Sequence, residues 1–256
     1  TMDGVASLVY YLSSMHSEVK KKSKLTYDAT GAIRRGDTAA KRITLIFTGH
    51  EFADGGATIA ATLKKHKVKG AFFFTGDFYR NSNFEELIQS LAGQGHYLGA
   101  HSDKHLLYND WTSEKKLLVS EDQFIKDLND NYLEMSKFGI ERSAAPYYLP
   151  PYEWNDETIT DWTTALGLEL INYTQGTRSH ADYTTPEDDN YQSSEVIYNS
   201  IMTYEKEQGL NGFMLLTHIG TDAKRTDKFY DRLDELIVYL KENGYTFVSL
   251  SEQLEN

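Results

Sequence analysis

The sequence predicts an α/β barrel built on a mainly parallel sheet. Three observations carry this. Short apolar runs rich in β-branched and aromatic residues recur along the chain, and stretches with helical spacing separate them. About seven such strand–helix units follow residue 43, and that alternation implies parallel strands. No glycine-rich dinucleotide fingerprint follows any strand, which favours a barrel over a doubly wound sheet. The length of 256 residues could hold two small domains, and one such barrel is equally natural.

The elements can be justified in order. Residues 1–40 read as an N-terminal helical or extended segment packed on the barrel, with helical spacing at Val5, Leu8, Leu12 and Met15. Residues 41–256 read as the barrel domain. "ITLIF" (43–47) is a strand and 57–66 a helix carrying Ile59 and Leu63. "GAFFF" (70–74) is a buried strand. Asn83 with Glu86 predicts a capping box ahead of Leu87, Ile88 and Leu91. "HYLGA" (96–100) is a short strand. Ser120 with Gln123 caps a long helix with its stripe at Phe124, Ile125, Leu128 and Tyr132, closing at Gly139. "APYYL" (145–149) is a strand, 156–166 a helix and "LELINY" (168–173) a strand. Residues 193–208 read as helix, "GFMLLTH" (212–218) as strand and 227–243 as a helix ended by Gly244. "YTFVSL" (245–250) reads as the last strand.

Composition excludes several functions. The net charge of −12 argues against nucleic acid. No apolar run approaches the roughly 20 residues that span a bilayer. The start has no basic stretch followed by an apolar one, so no signal peptide is expected in it. Thr1 ahead of Met2 is consistent with one already removed. Cysteine is absent, so a metal site must use histidine and carboxylates. The 18 Tyr, 12 Phe and 3 Trp suit sugar stacking, although core packing uses the same residues.

In a parallel barrel, chemistry sits on the loops after the strand C-termini. Polar clusters do follow the strands here. His50, Glu51 and Asp54 follow the first, and His101 and His105 follow "HYLGA". "PPYEW" follows "APYYL", "GTRSHADY" follows "LELINY", and His218 ends "FMLLTH". On a helical turn, the spacing of four between His101 and His105 would put both imidazoles on one face, able to share an ion. Asp54 ahead of Gly55-Gly56 also reads as a helix N-cap. His16, His66 and His96 read as structural.

These motifs resemble the polysaccharide deacetylases of carbohydrate esterase family 4 over roughly residues 43–250. "VKGAFFFTG" resembles V-K-A-T-F-F-V-x-G, and "GQGHYLGAHSDKH" resembles G-H-E-I-G-N-H-[ST]-x-x-H. "YYLPPYEW" resembles F-R-P-P-Y-G, and "FMLLTH" resembles I-[IL]-L-x-H. The resemblance implies a distorted (β/α)7 barrel and hydrolysis of an acetyl group on a glycan outside the cytoplasm. It also implies a divalent metal held by one Asp and two His. The opening motif departs from T-F-D-D-G. An overlay anchored on Leu63-Lys64-Lys65 and Ala71-Phe72-Phe73 puts Gly49 at the catalytic base and His50 at the metal ligand. The arginine that orients the base is Leu149 here.

A rebuilt site of His50, His101 and His105 would leave a Zn²⁺ position open for water. Glu51 is the expected replacement base and Asp54 the other candidate. An overlay shifted by one residue makes Glu51 the metal carboxylate instead. His218 matches the catalytic acid. Tyr152 matches the residue whose backbone N–H helps hold the oxyanion. Asp182 and Tyr183 resemble the pair that supports the catalytic histidine and lines the sugar site. Trp154 and Trp111 flank the rim, and Trp154 joins the expected substrate-binding set. The missing Asp and Arg leave open a second reading, a carbohydrate-binding module that has lost catalysis.

Overall fold

Most strands of the barrel are short, from two to four residues, with Arg42–Gly49 at eight and Phe213–His218 at six the exceptions. The computed structural model describes residues 24–255, so the helix expected over Val5–Met15, and His16, lie outside the described residues. Strands β1 (Thr26–Tyr27) and β2 (Ile33–Arg35) form an antiparallel pair that sequence reading left unassigned. Then come β3 (Arg42–Gly49), α1 (Gly56–His66), β4 (Ala71–Phe74), α2 (Gly76–Arg80), α3 (Glu85–Gly93) and β5 (Tyr97–Ala100). They are followed by α4 (Glu121–Ser136), β6 (Tyr147–Tyr148), α5 (Glu157–Ala165), β7 (Glu169–Leu170) and α6 (Ser194–Gln208). The chain ends with β8 (Phe213–His218), α7 (Leu233–Glu242), β9 (Thr246–Phe247) and α8 (Leu250–Glu255).

The sheet order is β7-β6-β5-β4-β3-β8, with β9 also on β3, and every pairing is parallel. The sheet curls until its ends meet. Thr174, just past β7, donates its N–H to the Met214 carbonyl of β8 at 3.0 Å. Ile33 of β2 bridges Ile171, so the N-terminal hairpin sits where the curl closes. This is the distorted (β/α)7 barrel that the sequence implied.

Alternation sorts the side chains. Ile46, Phe73, Met214 and Leu216 fill the barrel interior with Ile33 and Leu149. Leu45, Phe47, Phe72, Phe74 and Leu215 face the helices. Period-two packing on both sides explains why "AFFF" is continuously apolar. Each buried phenylalanine contributes about 1.5–3 kcal/mol. Helix α1 buries Ile59 and Leu63 against this layer and ends at Lys67 in the left-handed region.

Two local expectations need correction. Asn83 and Glu86 form no capping box. Asn81 instead accepts from Asn83 N–H and starts a 3-10 turn over 82–84, from which α3 continues with no side-chain cap. The capping box of Ser120 and Gln123 is present. The final strand stops at Phe247 because β9 pairs only with the start of β3, at Arg42 and Ile43. The chain then turns into α8, whose Leu250 and Leu254 join the interior cluster and plug the end opposite the polar loops.

His96 is structural, as expected. Its Nδ1 accepts from Gly70 N–H at 3.1 Å, and its Nε2 is buried without a partner. Burial, helped by Lys69, pushes its pKa down to about 4. The unfolded chain therefore takes up this proton near pH 6.5 and the folded chain only near 4. The associated stability, about 3 kcal/mol, is present above pH 6.5 and lost as pH falls through that window. His96→Asn keeps an acceptor for Gly70 and removes the titration. Urea unfolding at pH 7 and pH 4.5 is expected to show a smaller acid loss in the variant than in the wild type.

Candidate active site

Every polar cluster lies at the C-terminal end of a strand, so the barrel gathers them on one rim. β3 brings His50, β5 brings His101, β6 leads to Tyr152 and Glu153, and β8 ends in His218. Asp182 and Tyr183 sit in a 3-10 turn (Ser179–Tyr183) beyond β7.

His101 is the most firmly held. It is 2 % exposed. Its N–H donates to Asn131 Oδ1 of α4 at 2.8 Å, and its Nδ1 donates to the Leu149 carbonyl at 2.8 Å. That bond fixes the tautomer and leaves Nε2 with a free lone pair. His105 comes from an irregular loop, not from the helical turn its spacing suggested. Ser102 and His105 both have positive φ, at 72° and 54°. The loop winds around Asp127, which accepts from the N–H groups of Asp103 and Lys104, each at 3.1 Å. A buried acceptor thus outcompetes the helical ladder.

The three expected metal ligands come together. The ring centres of His50 and His105 are 4.7 Å apart, and those of His101 and His105 are 5.1 Å apart. Burial holds His101 down to about pKa 3 and His105 to about 2, so both are neutral, as ligands must be. Rings sharing a tetrahedral Zn²⁺ sit at about this spacing, given Zn–N near 2.0–2.1 Å. Orientation is another matter. His50 and His105 are stacked with planes 8° apart, and parallel offset planes cannot both aim in-plane lone pairs at one ion. Among the described residues no three His, Asp or Glu side chains stand in chelating arrangement. The three imidazoles match a borderline divalent ion in donor chemistry and spacing but not in orientation, and to hold one a ring would have to turn. His50 Nδ1 contacts Thr75 Oγ1 at 3.1 Å, the bond such a turn would change.

His218 and Asp182 form the second part of the site. Asp182 Oδ1 accepts from His218 Nδ1 at 2.6 Å, and Oδ2 accepts from His218 N–H at 2.9 Å. Burial opposes the imidazolium, but the Asp182 carboxylate outweighs it and raises the His218 pKa above its ordinary value. Tyr183 packs edge-on against His218, with ring centres 5.1 Å apart.

The expected bases are less well placed. Glu51 is exposed and bonds to no described residue. Asp54 is committed elsewhere. It accepts from Thr221 N–H at 2.7 Å and Tyr230 Oη at 2.8 Å, and it pairs with Lys228 at 2.8 Å. It does not cap α1, whose N-cap is Gly55. The end of β3 carries Thr48 and Gly49 and no carboxylate.

The aromatic rim is a cluster. Tyr152 packs on His105 at 4.4 Å and on Trp111 at 5.5 Å. Trp111 is 61 % exposed. Trp154 is less available, since Lys115 Nζ lies 3.9 Å above its ring and Trp111 packs 5.7 Å away.

One residue escaped sequence reading. Glu153 follows Tyr152, and both are left-handed, with φ of 52° and 58°. Each costs roughly 1–2 kcal/mol for a non-glycine residue. The signal was available, because F-R-P-P-Y-G has glycine where this chain has Glu153. Burial pushes the Glu153 carboxyl up to about 7, against the opposing field of His218.

A parallel barrel with a histidine–aspartate pair beside clustered imidazoles marks the class, a carbohydrate deacetylase. The chain belongs to the polysaccharide deacetylase family, whose sequence model matches residues 35–171, more than half of its length. It is 27% identical over 220 residues to the peptidoglycan-N-acetylmuramic acid deacetylase PdaA of Bacillus subtilis (strain 168), covering 85% of this chain and 73% of that one. The solved structure of Bacillus subtilis PdaA, a family 4 carbohydrate esterase, matches with a TM-score of 0.67 at 25% identity, covering 88% and 85% of the two chains. A family 4 pseudoenzyme of Bacillus anthracis shares the fold, with a TM-score of 0.68 at 18% identity, covering 89% and 70%.

Proposed function

We propose that this chain removes N- or O-linked acetyl groups from a polysaccharide or oligosaccharide outside the cytoplasm, in a reaction that depends on a divalent metal, zinc first. The observation that carries this is His218, held through Nδ1 by Asp182, on the same rim as three clustered imidazoles. Residues 41–256 would be the catalytic domain and 1–40 a segment packed on the barrel, with Ile33 reaching its interior. His50, His101 and His105 would hold the ion. When bound, such an ion polarises an acyl carbonyl and acidifies water.

The residues of the chain supply the rest. Asp182 fixes the His218 ring through Nδ1, and Nε2 has no partner among the described residues. That leaves one N–H to donate to a departing amine or alkoxide. The left-handed turn at Tyr152 exposes its ring at the rim, 44 % accessible, beside Trp111. With Tyr183 and Trp154, these rings offer flat faces to a sugar. The relative from Bacillus subtilis is named for a peptidoglycan acetyl group, which makes N-acetylated cell-wall glycan the first substrate to try.

The absence of an acid at Thr48 and Gly49 favours one rival, a glycan-binding module without turnover. Acetate release from acetylated glycan, with and without chelator, separates the two. The hydrolase reading expects chelator-sensitive acetate. Glycan binding that is indifferent to chelator, with no acetate, would establish the rival.

A further inference from the structure

The family scaffold needs a base, and the end of β3 provides none. Asp54 and Asp182 are committed to other partners and Glu51 is exposed, so Glu153 is the sheltered rim carboxylate that no structural bond occupies among the described residues. It is half-buried, with a left-handed backbone held by two hydrogen bonds. Its N–H donates to the Pro150 carbonyl at 3.1 Å, and its carbonyl accepts from Asn172 Nδ2 at 2.8 Å. Its carboxylate makes no hydrogen bond or ion pair among the described residues. The groups whose charges reach it come from separate elements: His218 from β8, Asp182 and Tyr183 from the 3-10 turn, Tyr173 after β7, and Arg34 from β2. Arg34 pairs through Nε with Asp28, and its Nη1 is buried with no partner. An acid without a partner and a guanidinium N–H without a partner thus share one neighbourhood. An acid at a backbone position that favours glycine, kept out of every structural bond, is strain of the kind found at functional sites.

We propose that Glu153 is the general base of this site and that it replaces the acid absent at Gly49. The inference rests on the deacetylase reading. In the step, a water O–H proton passes to Glu153 as the water oxygen bonds to the acetyl carbon. His218 then gives its Nε2 proton to the leaving nitrogen or oxygen as the C–N or C–O bond breaks. Acetate and the free amine or hydroxyl result, with no other reactant.

The test is acetate release from N-acetylated and O-acetylated glycans by wild type, Glu153→Gln, Glu153→Gly and Arg34→Met. Glu153→Gln should lower kcat by about 10²-fold or more with KM little changed. It should also lose the acid-side rise of kcat/KM that the wild type shows near pH 7. Glu153→Gly should be as inactive yet melt about 2–4 °C higher, because it relieves the left-handed strain. Arg34→Met should shift the acid-side rise upward in pH, which a merely structural role would not do. Activity within twofold of wild type in Glu153→Gln overturns the proposal, as does loss of the acid-side rise in Glu51→Gln instead. No acetate from the wild type overturns the deacetylase reading and this base together, whereas wild-type activity that survives Glu153→Gln overturns only the base.

Discussion

His101→Ala is expected to lose bound metal and to cut acetate release by well over 10²-fold. Changes to groups that only support a ligand already cost about 10–100-fold, and this change removes the ligand itself. His101 is the best choice of the three imidazoles because its position is the most determined. Its backbone is tied to Asn131, and its Nδ1 to the Leu149 carbonyl. The substitution also leaves that carbonyl without its donor, at about 1–3 kcal/mol. Assays should therefore run well below the melting temperature of the variant. Elemental analysis of the purified protein gives the metal, and acetate release gives the activity. A variant that keeps full metal content would remove His101 from the ligand set.

Asp182→Asn should lower kcat by about 10²–10⁴-fold while preserving shape. Asp182 uses both oxygens, one for each N–H of His218, and an amide can accept only one of them. The charge matters as much as the geometry. In the wild type, Asp182 overcomes the burial that disfavours the imidazolium, and the His218 pKa ends above its ordinary value. Without the carboxylate, burial prevails and the pKa falls below that value. An acid must be protonated to act, so the alkaline fall of kcat/KM should move to lower pH in the variant. NMR titration of the imidazole reads the same shift without turnover. An unchanged alkaline limb would take His218 out of the acid role.

The barrel was legible because its signal is periodic. β3, β4 and β8 are buried on both faces and read as apolar runs, and the loops after them read as polar. What escaped was set by partners distant in sequence. β2 joins the sheet edge through Ile171, Asn172 and Thr174, and α8 exists because Leu250 and Leu254 fill the open end of the barrel. In the site, His50, His101, His105 and His218 were readable from their places after strands. The path of the His105 loop was not, because it depends on Asp127 of α4, more than twenty residues away. Asp54 looked like a cap because its true partners, Thr221, Tyr230 and Lys228, lie at the far end of the chain. Glu153 was missed because one acid among prolines and aromatics carries no period, and the one signal was its place at the glycine of F-R-P-P-Y-G. Its meaning lies in a positive φ.

The packing around Gly49 gives the site a history that runs in one direction. A Cβ there would stand 2.8 Å from Ile219 Cγ2, 2.9 Å from Phe74 Cδ1 and 3.0 Å from Phe78 Cε2. Those atoms belong to a branched chain and two rings of the core, which cannot swing aside as a flexible tip would. An aspartate regained at that position by a single codon change would arrive in space already taken. An aspartate there would need those neighbours to give way first, so packing acts as a ratchet against an acid at this position.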